Sequence, residues 1–300
     1  MKDFIHEVVL HGIKDTAILL PVLFVTYLLM ELAEHKLKGK TLEAIGRAGR
    51  LGPLFGGIFG ALPQCGFSAA ASGLYAGRLI SVGTLLAVFL STSDELIGVM
   101  LSTSVTSHEN LTRLLKILAL KIVCAAVVGF AVDAVIYFVS KKRGVDRNTR
   151  EIRELCESES CSCGEKGIFF ASLIHSLKIF GFILGVTFAI NTLIFFVGED
   201  SLRAVLQGTP VVGELIAGLF GLIPNCASSV IITELYLDGV LGASELLSGL
   251  FTGAGVGVLI LFRTNRNLKE NLLLLLTLYV TGVLLGLLIG TTGLASLIGI

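Results

Sequence analysis

The chain has 300 residues, of which 54% are hydrophobic and only 15% charged. Soluble domains carry roughly 25% charge, so this composition excludes a soluble enzyme and points to an integral membrane protein in a lipid bilayer. Basic and acidic residues balance at 23 each, which by itself says nothing about nucleic acid, and no nucleic-acid partner is expected. The charges inform only through their placement.

A span needs about 20 apolar residues, and the runs 16–30, 82–100, 117–139, 169–197, 241–262 and 272–289 meet or approach that length. Residues 1–15 hold Lys2, Asp3, Glu7, Lys14 and Asp15, an amphipathic lead-in too polar for a secretory signal. The stretch 35–50 has five basic residues against Glu43, the stretch 141–166 has seven, and Arg263, Arg266 and Lys269 form a third basic group. The positive-inside rule makes all three cytoplasmic. The segments 102–110, 198–208 and 237–244 hold a single Arg and should face outward, which puts both termini outside the cell membrane.

Between the first two spans lies Gly52–Tyr75, an apolar stretch interrupted by Pro63, Gln64, Cys65 and Gly66. It recurs 161 positions later as Gly213–Tyr236, with ten identities in 24 ungapped positions, an internal repeat. The charged loops are consistent only if each stretch enters and leaves on one side, as a re-entrant hairpin of two half-helices hinged at Pro63 or Pro224. A single kinked span is the alternative. The expected fold is all-α and polytopic: three spans plus one hairpin in 1–140, a cytoplasmic cysteine-containing loop in 141–166, and an inverted copy in 167–300, as in many secondary transporters.

Backbone that leaves helical geometry at membrane depth is tolerated only around a buried or watered cavity. The hairpin tips therefore form a candidate substrate site, with Gln64, Cys65, Gly66 and Ser68 from one and Asn225, Cys226, Ser228 and Ser229 from the other. Thr92, Ser93, Asp94 and Glu95 interrupt the second span; adjacent carboxyls there are costly and usually functional. Thr92 and Glu95 fit a capping box that restarts the helix. The matching stretch of the second half, around Thr252, is glycine-rich instead. Thiols suit soft metals and metalloids, carboxylates harder cations, so Cys65, Cys226, Asp94 and Glu95 are the candidate metal ligands. The loop cysteines Cys156, Cys161 and Cys163 are either auxiliary metal-capturing thiols or incidental. His11 and Lys14 recur as His175 and Lys178, candidates for gating or coupling. Lys121 and Asp133 share one apolar run but sit on different faces, so no pair is expected, and Glu234 is a further acid near the outer mouth. Gly39-Lys40-Thr41 lacks the upstream glycine of a phosphate loop, Glu34 standing in its place. No ATPase partner and no cofactor are expected.

With its Leu-Pro-Gln-Cys65-Gly and Ile-Pro-Asn-Cys226 hairpins, its Ser93-Asp94-Glu95 span and its leading His11, the chain resembles a bacterial and archaeal membrane family described as arsenic efflux proteins or ten-helix heavy-metal exporters. Some of its members are called manganese transporters. The resemblance covers essentially the whole chain and implies a non-enzymatic, gradient-driven exporter of a metal or metalloid ion. Arsenite and a divalent cation such as manganese both stay open as substrates, and a homodimer stays open as the assembly. Two other classes remain: a thiol redox enzyme using Cys65 and Cys226, and an organic-anion carrier using the half-helix N-termini.

Overall fold

The computed structural model describes residues 51–62, 66–93, 108–143 and 211–295, with isolated positions between 21 and 28, 96 and 100, and 173 and 192. The described residues are helical, with no strand among them: α1 Gly52–Gly60, α2 Gly66–Ala76, α3 Val82–Ser91, α4 His108–Arg143, α5 Val212–Gly221, α6 Cys226–Leu237, α7 Ala243–Thr252, α8 Val256–Thr264 and α9 Leu268–Thr291. Three helical stretches are long and apolar enough to cross a membrane, at 111–139, 243–264 and 268–291. The protein is thus an all-helical membrane protein.

The second and fifth apolar runs are each broken, and hydroxyls and glycines explain where. Ser81 caps α3 by accepting from the Thr84 amide at 3.1 Å, and Val82–Ser91 then runs apolar and buried. It stops where three hydroxyl residues in a row compete for backbone acceptors: Ser91 and Thr92 both donate to the Val88 carbonyl, at 3.1 and 2.8 Å, and Ser93 donates to Ser91 at 3.0 Å. The helix resumes with the Ile97 amide donating to the Ser93 carbonyl. The Thr92 hydroxyl is turned back to Val88, and Glu95, the other half of the expected capping box, lies outside the described residues. In the second half α7 ends at Thr252, and Gly253-Ala254-Gly255 separates it from α8, with Gly255 at φ +52°.

The hairpins are legible in close approaches. Gly52 lies against the Thr84 side chain, near the start of α3, while Gly60 lies against Ser91 and Val88 near its end. The helices α1 and α3 thus run in the same direction. The five-residue turn 77–81 brings α2 back to the start of α3, so the segment 52–76 begins and ends at one end of that helix. The second half repeats this: Gly213 lies against Glu245 at the start of α7, and Gly221 against Gly249 and Thr252 near its end. Each of these contacts is displaced by 161 positions from its counterpart in the first half. The long helices repeat it too, Gly57 meeting Ile122 of α4 and Gly218 meeting Val283 of α9. The packing repeats, not merely the sequence.

Layering follows exposure. The helices α3, α7 and α8 are largely enclosed, and Leu85, Leu90, Leu246, Phe251 and Ile260 are inaccessible to solvent. The helices α1, α4, α5 and α9 turn large apolar side chains outward, among them Phe55, Val123, Val127, Leu219, Leu273 and Leu284. An apolar exterior on this scale is what a lipid environment covers.

Candidate functional site

The two interrupted helices meet at a buried lysine. Lys121, in the middle of α4, is 0% exposed, and its ammonium donates to the carbonyl of Thr92 at 2.6 Å and to that of Leu250 at 2.7 Å. It also stands 5.7 Å from the centre of the Phe251 ring, within cation–π range. Both carbonyls come from helix breaks. Thr92 has left helical geometry at φ −52°, ψ 127°. At the other break the Ala254 amide donates to Thr252, not to Leu250, so the Leu250 oxygen is free to turn toward the ammonium. Both α3 and α7 direct C-terminal ends, with their partial negative charge, at this cation. One ammonium thereby holds a broken helix from each half.

The second break gathers serines from both hairpins. The Ser72 hydroxyl of α2 shares its proton between the Gly257 carbonyl of α8 at 2.6 Å and its own Ser68 carbonyl at 2.9 Å. Ser68 is buried against Gly257, where an added Cβ would stand 2.8 Å from the Ser68 Cβ. From the other hairpin, the Ser229 hydroxyl would stand 3.4 Å from a Cβ added at Gly253. The tip of that hairpin folds on itself, Ser228 donating to the Asn225 carbonyl at 2.8 Å, with Asn225 itself buried. Pro224 lies in the turn before it, and Cys226 is the first residue of α6. Thr252 shares its proton between the Gly218 carbonyl of α5 at 2.7 Å and the Gly249 and Ser248 carbonyls of its own helix at 3.0 and 3.2 Å, so it ties α7 to α5. Gly66 opens α2 and is buried.

Of the residues expected to act on substrate, the structure brings Ser68, Thr92 and Ser229 to the two breaks, while the buried Ser93 hydroxyl beside Thr92 donates back to the Ser91 carbonyl. His11, Lys14, Pro63, Gln64, Cys65, Asp94, Glu95, Cys156, Cys161, Cys163, His175 and Lys178 lie outside the described residues. Among the described residues, no three His, Cys, Asp or Glu side chains gather as a metal site. Glu234 is exposed.

Three groupings escaped the sequence reading. Lys121 was weighed only against Asp133, whereas a lysine well inside a 29-residue apolar helix is itself a signal, because intramembrane charges are costly. Asp133 caps α3: its carboxylate accepts from the Gly83 amide at 2.9 Å and the Ser81 hydroxyl at 2.5 Å. Arg78 makes a two-pronged ion pair with Glu270 at the start of α9, at 2.6 and 3.0 Å, and the Tyr75 hydroxyl joins the same carboxylate. Its sequence trace was the Glu270-Asn271-Leu272 triplet, which repeats Glu109-Asn110-Leu111 at the offset of 161 positions.

Comparisons with known protein families, with characterised proteins and with solved structures gave no match. Fold and site together define a helical membrane protein in which two interrupted helices meet at a buried lysine.

Proposed function

We propose that this protein is a gradient-driven carrier of the alternating-access kind, built as two inverted repeats, that exports a metal or metalloid from the cytoplasm. The observation that carries the reading is the meeting of both helix breaks at Lys121. Interrupted helices from two repeats, with freed carbonyls and helix ends aimed at one buried point, are how secondary transporters build substrate and coupling sites.

Two contacts support the inversion. Glu270 at the start of α9 pairs with Arg78, next to the start of α3, whereas Gly290 at the far end of α9 packs on Ser244 at the start of α7. Equivalent helices α3 and α7 would then begin at opposite ends of the molecule. The same contact agrees with the charge placement, since the turn 77–81 and the basic group Arg263–Lys269 are both expected in the cytoplasm.

Lys121 bears on the substrate. A fixed ammonium held at Thr92 is itself a positive charge at the break that Asp94 and Glu95 follow in the sequence. A bare divalent cation is thereby disfavoured, and an uncharged metalloid hydroxide such as arsenite is not. Cys65 and Cys226, at equivalent places in the two hairpins, are the soft ligands that such a metalloid prefers. The same ammonium favours an organic anion as the second reading. The resemblance to the arsenic efflux and ten-helix heavy-metal exporter family agrees with the first.

The test is uptake into everted membrane vesicles with arsenite, manganese and a panel of carboxylates, for the native protein and for Cys65→Ala and Asp94→Asn. Arsenite uptake that falls at least tenfold in Cys65→Ala supports metalloid export. Manganese uptake that needs Asp94 but not Cys65 makes it a cation exporter, and uptake of carboxylates alone makes it an anion carrier. Transport of none of them removes the proposal.

A further inference from the structure

We infer that the carbonyl cradle between the two broken helices is a monovalent-cation site permanently filled by the chain's own Lys121. Two backbone carbonyls, from Thr92 and Leu250, face one buried point at 2.6 and 2.7 Å from the ammonium, with the Phe251 ring beside it. Unwound carbonyls at half-helix ends are the groups with which carriers hold a coupling cation. Here a side chain reaches that place, and because it is covalently attached it needs no free ion to complete it.

The repeat explains how one lysine serves both halves. The counterpart of Lys121, 161 positions on, is Gly282. A Cβ there would stand 2.7 Å from Thr252 and 3.2 Å from Phe251, so α9 packs on α7 too closely for any long side chain. On the α4 side the gap is wide enough for a lysine, and its four-carbon stem crosses to the other half. Lys121 thus ties the two breaks together across the repeat interface. The Arg78–Glu270 ion pair makes a second link between halves, but it lies near the surface, with side-chain exposures of 30% and 22%. Lys121 is the buried one.

Removing the side chain back to Cβ leaves the carbonyls and the space of an ammonium-sized ion. Lys121→Ala protein should then bind what it lost. The purified full-length protein in detergent is melted in choline, sodium, ammonium and methylammonium chloride at equal ionic strength. This readout is independent of transport, so it separates failure of this inference from failure of the carrier reading. Native protein is expected to melt at one temperature in all four salts. Lys121→Ala in choline should melt lower by roughly 5 °C or more, and ammonium or methylammonium should restore the loss with a saturable dependence on concentration. Recovery of folded Lys121→Ala protein only from ammonium or methylammonium buffers counts equally in favour. The apolar variant Lys121→Met is the control; it should be destabilised without responding to any cation. The inference is overturned if Lys121→Met is as stable as the native protein, since the cradle then needs no cation. It is equally overturned if the melting point, or the yield, of Lys121→Ala is the same in all four salts, or if native protein shows a saturable response to sodium, which would mean that a free ion is still required.

Discussion

At Gly60 and Gly221 a hydrogen replaces a side chain because backbone from the neighbouring helix occupies the space. A Cβ on Gly60 would stand 2.5 Å from the Val88 carbonyl oxygen, and one on Gly221 would strike the Gly249 carbonyl. Backbone cannot rotate away, so Gly60→Ala and Gly221→Ala should each destabilise the protein by about 1–3 kcal/mol, the usual cost of overpacking. Thermal unfolding in detergent measures this, and unchanged melting of either variant would contradict the packing described. Arg78 presents the opposite case. It sits at φ +59°, and its counterpart Gly239 sits at +73°. A left-handed conformation costs a non-glycine residue about 1–2 kcal/mol, and a partly exposed ion pair returns about 0–1 kcal/mol. Arg78→Gly should therefore be neutral or slightly stabilising, whereas Glu270→Gln, which loses the pair without relieving the backbone, should destabilise; chemical denaturation of the two variants distinguishes these outcomes.

Among the elements, α3 depends most on a partner. Its first amides are satisfied by Ser81 and by Asp133, which reaches across from α4. Loss of such a cap costs about 1 kcal/mol, so Asp133→Ala should lower stability by that order, while Asp133→Asn, which still accepts from Gly83, should lower it less. Helix α7 depends on a side chain in another way. The Thr252 hydroxyl bonds Gly218 on α5, and Thr252→Val removes that bond while keeping the shape. The cost should be about 1 kcal/mol with substrate uptake preserved, because the proton of this hydroxyl is committed to packing. A tenfold loss of uptake would instead mean that the Thr252 oxygen also meets substrate.

For the whole molecule, the inverted repeat makes a prediction that no single contact carries. In a cysteine-free background, Leu79→Cys in the turn after α2 and Arg266→Cys before α9 should be labelled by a membrane-impermeant maleimide only in inverted vesicles. Asp238→Cys, in the turn after α6, should be labelled only in whole cells. Leu79→Cys and Asp238→Cys labelled from the same side would end the inverted reading and the carrier mechanism built on it.

The chain by itself determined what depends on local pattern. Apolar runs marked the three span-length helices, the hydroxyls 91–93 marked one break and the glycines after Thr252 the other, and ten shared residues marked two stretches whose packing repeats. These were readable because hydropathy, hydroxyl competition and glycine act within a turn or two of the residue concerned. The interior partnerships were not readable, as Lys121 illustrates. Among the described residues it donates to the carbonyls of Thr92 and Leu250, 29 and 129 residues away, and every residue type carries an identical carbonyl. Only the tertiary structure could select which two were freed by a break and brought within reach. The direction of α1 along α3 and the Arg78–Glu270 contact were likewise decided by packing, since close approach of two helices depends on both surfaces at once. The sequence carries those surfaces in segments far apart along the chain.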